Sequence, residues 1–422
     1  MIYDKDIPIF IQYMLKIYKK LKYSTLLFIL LSLYCLFCDF NERVICYAGK
    51  KETFDNSIDI KSIQDKLAKV IDKSRETLYD DDEIFIKNMQ SKNLAGDDIN
   101  RYRHWEWPQG VSLFGFWKLF EATKDKKYLD IITNYYDLQF QIGLPSKNIN
   151  TTAPMLTMIF LYEYTNSDKY GDLCVEWADW LVKHLPRTRE DGFQHLTSDT
   201  LNNGELWVDT LFMSVLFLAK TGAVMKREDW VEEAKYQFLI HSKYLTDRKT
   251  GLWFHGWTFD GNHNFTEALW GRGNCWITIS IPEFLSIVRC EAGVKKYLVQ
   301  LLTRQVEALE KYQDKDGMWH TVINDPTSYL EASATCGFGY GILKAVDSGL
   351  ISARFKNCAV KAINPILDCI DDEGYVNKVS YGTSMGRDSI EHYKNIEIRR
   401  MPYGQAMAML FLQEALKSVS KK

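Results

Sequence analysis

An all-α protein built as an (α/α)6 barrel is the fold that the sequence predicts, and three observations predict it. Apolar residues recur at spacings of three and four along most of the chain, with few alternating β-branched runs, which is the period of helices that bury one face. About twelve such stretches follow one another. Short and long turn-rich connections alternate between them, so neighbours pair into hairpins, and six hairpins closed into a ring make the barrel. A chain of 422 residues, 46% of them hydrophobic, is long enough to bury the core that this requires.

Taken in order, the chain opens on Lys16, Lys19, Lys20 and Lys22 ahead of an apolar run from Leu26 to Phe37, the n-region and h-region arrangement of an export signal. The run is shorter than the roughly 20 residues of a comfortable membrane span. The pattern reads more cleanly from Met14 than from Met1. Cys35 and Cys38 invite lipidation, but Tyr34 and Phe37 are bulky where a small residue is expected; cleavage after Ala48 and an uncleaved anchor both stay open. Residues 1–48 are thus expected to be an export signal or a membrane anchor, with the protein secreted or membrane-anchored on the extracytoplasmic side, residues 49–59 a polar linker, and residues 60–422 the barrel.

Within the barrel, helices are predicted over 60–78, 110–122, 127–142, 153–165, 168–184, 208–220, 228–244, 273–289, 295–313, 329–347, 352–370 and 403–417. Asp191-Gly192, Asp260-Gly261-Asn262, Asp316-Gly317 and Asp372-Glu373-Gly374 mark turns between them. A solenoid of helical pairs is the alternative, but it demands a more regular period.

The formal net charge of −3 argues against nucleic acid as a partner, because phosphate binding draws on clustered Lys and Arg. Cys174, Cys275, Cys290, Cys336, Cys358 and Cys369 are widely spaced with no CxxC pair, so neither a zinc site nor a disulfide framework is indicated. No phosphate loop or metal-ligand cluster stands out, and no cofactor is expected. Aromatic residues make up 14% of the chain, with 12 Trp and 24 Tyr, many beside Gly, Asn, His and Asp. That is how a carbohydrate cleft reads, since sugar CH faces pack on rings while hydroxyls bond polar neighbours.

The most informative stretch runs from Gly204 to Met213, where Asp209 opens an otherwise apolar helix. Trp207, Val208, Leu211, Phe212 and Met213 would desolvate its carboxyl and raise its pKa toward that of a general acid. The helix N-terminus pulls the other way, and the bland reading is a first-turn Asp favoured by the helix dipole. A second stretch, Gly251 to Asp260, is followed by Trp270-Gly271-Arg272-Gly273-Asn274-Cys275-Trp276. Glycines flanking Arg272 let a ligand approach, and guanidinium is the preferred bidentate partner of a carboxylate. His255 could donate to the same group, and Trp253, Trp257, Trp270 and Trp276 make a sugar platform. Weaker candidates are the Trp105-to-Gly110 and Asn148-to-Pro154 segments, with Glu106 or Glu205 as a second carboxylate or simply as a cap or loop salt-bridge partner. His320, Ser328, Tyr329, Glu331 and Ser333 form another polar patch.

These motifs resemble those of glycoside hydrolase family 105, the unsaturated rhamnogalacturonyl hydrolases, related to the unsaturated glucuronyl hydrolases of family 88. The resemblance runs from about Trp105 to Leu412 through separated blocks in order: WPQG at Trp107–Gly110, ELWVDTLFM at Glu205–Met213, GLWFHGWTF at Gly251–Phe259, WGRGN at Trp270–Asn274 and MPYGQA at Met401–Ala406. It implies an (α/α)6 barrel and a metal-independent hydrolase with Asp209 as acid/base. It implies a uronate pocket of His255, Arg272, Trp270 and Trp276, with Trp253 and Trp107 as further sugar-facing rings. Some relatives carry a second Asp where this chain has Asn150-Thr151-Thr152-Ala153-Pro154, so Asn150 or Thr152 is expected to bond the sugar instead. The implied substrate is an unsaturated oligosaccharide left by a polysaccharide lyase, whose vinyl ether is hydrated.

A glucanase should show two essential carboxylates, and an epimerase His pairs. A noncatalytic glycan-binding protein need not keep Asp209, His255 and Arg272 together. A helical scaffold leaves the aromatic loops without a purpose.

Overall fold

The computed structural model describes residues 59–420; the predicted leader and the linker up to residue 58 lie outside the described residues. Asp59 caps the first helix, α1 (Ile60–Thr77), by accepting from the Lys61 amide. Two short helices follow, α2 (Glu83–Ser91) and α3 (Ile99–Tyr102). Then come α4 (Trp107–Thr123), α5 (Lys126–Ile142), α6 (Ile149–Thr165), α7 (Asp168–Lys183), α8 (Leu216–Met225), α9 (Glu228–Leu245), α10 (Gly271–Ile287), α11 (Ala292–Tyr312), α12 (Ala332–Asp347), α13 (Lys356–Lys361), α14 (Ile363–Cys369), α15 (Glu391–Lys394) and α16 (Pro402–Ser420). The barrel predicted from periodicity is the fold observed.

Two kinds of helix build it. In α5 the buried residues are Tyr128, Ile132, Tyr135, Tyr136 and Gln139, a single stripe at helical spacing. In α4, by contrast, every residue from Gln109 to Trp117 is buried, so that helix is covered on all sides. The all-round helices form an inner ring: α4 packs on α6, α6 on α8, α8 on α10, α10 on α12, α12 on α16, and α16 back on α4. The one-sided helices α1, α5, α7, α9, α11 and α13 cover it, each packed on an inner neighbour.

Close approach within the ring depends on glycine. A Cβ on Gly339 would stand 2.2 Å from Phe411 of α16, and one on Gly341 2.3 Å from the Thr278 carbonyl oxygen of α10; α12 is squeezed between those two helices. Toward the C-terminal ends of the inner helices, Glu283 is wholly buried and pairs with Lys118 at 3.2 Å and Lys344 at 2.8 Å. Tyr340 also donates to it. One ion cluster thereby links α4, α10 and α12.

The structure departs from the predicted elements in several places, and the short helices α2, α3 and α15 were not among those predicted. The 352–370 helix is broken into a 3₁₀ turn, Ala353–Phe355, followed by α13 and α14, with Pro365 in the first turn of α14 where a missing amide costs nothing. The 208–220 helix begins with a π-helical turn, Leu211–Val215, before α8. Short antiparallel pairs were not foreseen: β1 (Glu205–Trp207) with β2 (Gly256–Thr258), and β3 (Val379–Ser380) with β4 (Ile398–Arg399). The six described cysteines are free thiols, all buried except the partly covered Cys290.

Candidate active site

The inner helices all begin at the same end of the ring, and there a cleft of about 880 Å³ opens. Glu106, Trp107 and Gln109 reach it from the start of α4, Asn150 from α6, Trp270 and Arg272 from α10, and Met401 and Pro402 from α16. Helix N-termini carry partial positive charge, so this end of the barrel favours an anion.

The pairing of β1 with β2 builds the centre of the cleft. Trp207 lies opposite Gly256, and the Val208 amide extends the ladder by donating to the His255 carbonyl at 3.0 Å. This register brings the next residue, Asp209, against His255: Oδ2 lies 3.3 Å from Nε2. Gly256 admits this crossing because a Cβ there would stand 2.3 Å from Met385 and 3.1 Å from the Leu206 carbonyl oxygen. Asp209 lies at the mouth of the π turn, its side chain 15% exposed and facing the cleft, whereas His255 is buried behind it. Burial is the largest influence on the Asp209 carboxyl and pushes it up. The close contact with His255 and the nearby charges, Arg272 among them, together outweigh burial and leave the carboxyl below its ordinary range. Burial draws His255 down toward its neutral form.

Arg272 is 1% exposed and lies between the rings of Trp270 and Tyr403, at 4.8 and 4.9 Å. Its guanidinium donates to the carbonyls of Ser380 at 3.0 Å and Tyr381 at 2.9 Å, to the Thr383 hydroxyl at 2.7 Å, and to the Ser380 hydroxyl. It therefore holds the segment after β3 against the cleft. Glu331, the cap of α12, accepts from the Ser380 amide at 2.9 Å and so fixes the same segment from behind. Farther along, Arg387 forms a two-pronged pair with Glu205, at 2.7 and 3.1 Å. Glu205 also accepts from the Trp207 indole at 2.9 Å, so this acid orients Trp207 and anchors the 381–390 loop.

The remaining residues singled out from sequence fall into two groups. Trp107, Trp270, Asn150, Arg272 and Asp209 line the cleft. Trp107 is backed by Tyr403, stacked at 4.5 Å, and by the edge of Trp276 at 6.3 Å. Trp276, Trp253 and Thr152 do not reach the cleft wall and are buried behind it. The Trp253 amide donates to the Asn274 side chain at 2.8 Å, and the Thr152 hydroxyl to the Asn148 carbonyl at 2.6 Å. Glu106 is buried as the cap of α4, and burial raises its carboxyl to about 7; it lines the cleft as a largely neutral acid below that pH.

Two parts of the site escaped sequence reasoning. His195 lines the cleft, stacked on Trp207 at 4.4 Å with Nδ1 2.9 Å from the Thr210 hydroxyl, and burial takes its pKa down to about 3. It stands alone between Phe193 and Leu196, in no pattern that singles it out. The other is α2, which walls the cleft with Phe85 and Met89. The Asp80-Asp81-Asp82 run before it, with Asp82 accepting from the Phe85 amide, is the capping signal that marks it. Among the described residues, no group of His, Cys, Asp and Glu is placed to hold a metal ion.

The model of Glycosyl Hydrolase Family 88 matches residues 82–419, most of the chain. The chain belongs to that family. The hydrolase is 32% identical over 321 residues to the unsaturated rhamnogalacturonyl hydrolase YesR of Bacillus subtilis (strain 168), a match covering 74% of this chain and 90% of that one. Two crystal structures described as possible members of the GH105 family resemble it throughout. One, from Salmonella enterica, is 42% identical with a TM-score of 0.79 and covers 88% of the hydrolase and 97% of its own chain. The other, from Klebsiella pneumoniae, is 39% identical with a TM-score of 0.79, covering 86% and 95%. The resemblance to families 105 and 88 drawn from the sequence blocks is thus the relationship found.

Proposed function

We propose that this hydrolase removes the nonreducing-end 4,5-unsaturated uronic acid from lyase-generated pectin oligosaccharides of the rhamnogalacturonan type, with Asp209 as acid/base. The observation that carries the reading is the Asp209–His255 contact at 3.3 Å on the wall of a cleft lined by Trp107, Trp270 and Arg272. The likeness to a rhamnogalacturonyl hydrolase supports the choice of polysaccharide.

The ring of helix N-termini and Arg272 attract the uronate. Its arrival sets a second negative charge near Asp209 and raises the carboxyl pKa. Asp209 then takes up a proton and delivers it to C4, while charge develops at C5 beside the ring oxygen. The carboxylate so formed takes a proton from water as the oxygen adds to C5. The resulting hemiketal opens to a keto-uronic acid, the bond to the next sugar breaks, and that sugar leaves with its hydroxyl. One water is consumed and Asp209 is restored. A single acid/base serves both halves, so the carboxylate pair of ordinary glycosidases is not needed. Trp107 and Trp270 offer apolar faces to the sugar rings.

The test is loss of the ultraviolet absorbance of the conjugated double bond in an unsaturated rhamnogalacturonan disaccharide, with Asp209→Asn alongside. Bleaching by the wild type and not by the variant is expected. No bleaching across a panel of unsaturated uronides from several polysaccharides would turn the reading toward a glycan-binding protein. We read residues 1–48 as an export signal or anchor on the lysine cluster and apolar run alone, which places the hydrolase outside the cytoplasm. N-terminal sequencing of the cell-envelope and medium fractions tests this.

A further inference from the structure

Tyr393 belongs to none of the blocks that carry the family resemblance, yet it touches the catalytic pair from behind. Its ring is fully buried at α15, edge-on to His255 with centroids 5.6 Å apart. Three groups surround its hydroxyl: His255 Nδ1 at 2.8 Å, the Gly386 amide at 3.0 Å and Met385 Sδ at 3.6 Å. An amide can only donate, so the phenolic oxygen accepts from Gly386 and its one proton goes either to the imidazole or to the thioether. The imidazole nitrogen is nearer and the stronger acceptor. With Nδ1 accepting, the ring hydrogen of neutral His255 resides on Nε2, which faces Asp209 Oδ2 at 3.3 Å.

We propose that Tyr393 is a positioning residue that fixes His255 in its Nε2–H tautomer, with that nitrogen beside the Asp209 carboxylate, and that its hydroxyl turns to Met385 when the pair takes up a proton. The inference rests on the proposed role of Asp209. In the resting state the order is Asp209 carboxylate, Nε2–H, Nδ1, and Tyr393 O–H donating to Nδ1. One proton added from water gives a state in which Nδ1 carries hydrogen and donates to the Tyr393 oxygen, while the phenolic proton points at Met385. The proton between Nε2 and Oδ2 can then reside on the carboxyl, which is the acid that the reaction uses. The rotation breaks no covalent bond. The other ionisable groups near the pair are Arg272 from α10, His195 from the loop before β1, and His392 and Arg387 beside Tyr393.

Nitrogen NMR of protein with ¹⁵N-labelled histidine, the His255 signals assigned by their loss in His255→Gln, reads the tautomer directly. Wild type and Asp209→Ala, where the carboxylate no longer biases the ring, are both expected to show hydrogen on Nε2. Asp209→Ala/Tyr393→Phe is expected to lose that preference. Hydrogen on Nδ1 in the wild type or in Asp209→Ala, or no change in the double variant, overturns the proposal. In turnover, Tyr393→Phe is expected to lower kcat about tenfold with KM within about twofold. Thr266→Val, which cuts another tie of the same loop, the 3.1 Å bond to the Gly386 carbonyl, is expected to leave kcat unchanged. An equal loss in both variants would assign Tyr393 to loop structure alone and sink the idea. If the wild type bleaches no unsaturated uronide, the functional reading fails, and the NMR still decides the tautomer.

Discussion

At the scale of the residue, the chemistry turns on a carboxyl whose environment pulls two ways. Asp209 sits below the usual carboxylate range because its contact with His255 and nearby positive charge outweigh burial. A uronate bound beside it must raise that value, so substrate binding near neutral pH is expected to take up a proton. Calorimetry in buffers of different ionisation enthalpy measures this, and Asp209→Asn is expected to abolish the uptake and to lower kcat by about a thousandfold. Binding without proton uptake by the wild type would contradict the mechanism. Arg272 was legible as a functional candidate from its flanking glycines, but not its ties to Ser380, Tyr381 and Thr383, which join parts of the chain that no local pattern links. Arg272→Lys keeps the charge and loses the planar fork. It is expected to raise KM and to lower stability by on the order of 3 kcal/mol, measured by urea unfolding.

The twelve-helix pattern was readable at the scale of the element because outer helices such as α5 carry a clean stripe and inner ones such as α4 are apolar over most of their surface. What escaped was decided by partners distant in sequence. Leu211–Val215 has ordinary helical composition, and nothing local in it marks the π turn that follows Asp209. Strands β1 and β2 are each three residues long, too short to show a period of two. Helix approach in the ring gives a sharper test. Gly341→Ala puts a methyl 2.3 Å from a backbone oxygen and is expected to cost about 1–3 kcal/mol. Gly293→Ala in α11, with nothing within 4 Å of the new carbon, is expected to be neutral or to stabilise by up to about 1 kcal/mol. Thermal melts of the two variants distinguish a crowded ring from a general intolerance of substitution.

For the molecule as a whole, the ring is tied at one end by ions and dressed at the other for chemistry. Lys118 and Lys344 draw Glu283 from 4.5 down to about 2 against the effect of its burial. An acid whose folded pKa is depressed contributes stability above its unfolded pKa and loses it as pH falls through the folded one. The contribution, on the order of 3 kcal/mol, is therefore full above about pH 4.5 and gone near pH 2. Glu283→Gln is expected to lower the urea midpoint at pH 7 and to flatten its fall between those limits; an unchanged pH profile would deny the cluster its role. The opposite end is a cleft built from loops and helix starts, and its α2 wall was not foreseen. Arg387 and Glu205, which clamp that end, are 182 positions apart, and this spacing sets an order of events during synthesis. A ribosome that has already released Asp209, His255 and Arg272 has yet to make the Ser380–Thr383 segment that Arg272 grips. The nascent chain thus carries an unfinished cleft until the last inner helix emerges, and a protein truncated before residue 380, which lacks the helix that closes the ring, should turn over nothing.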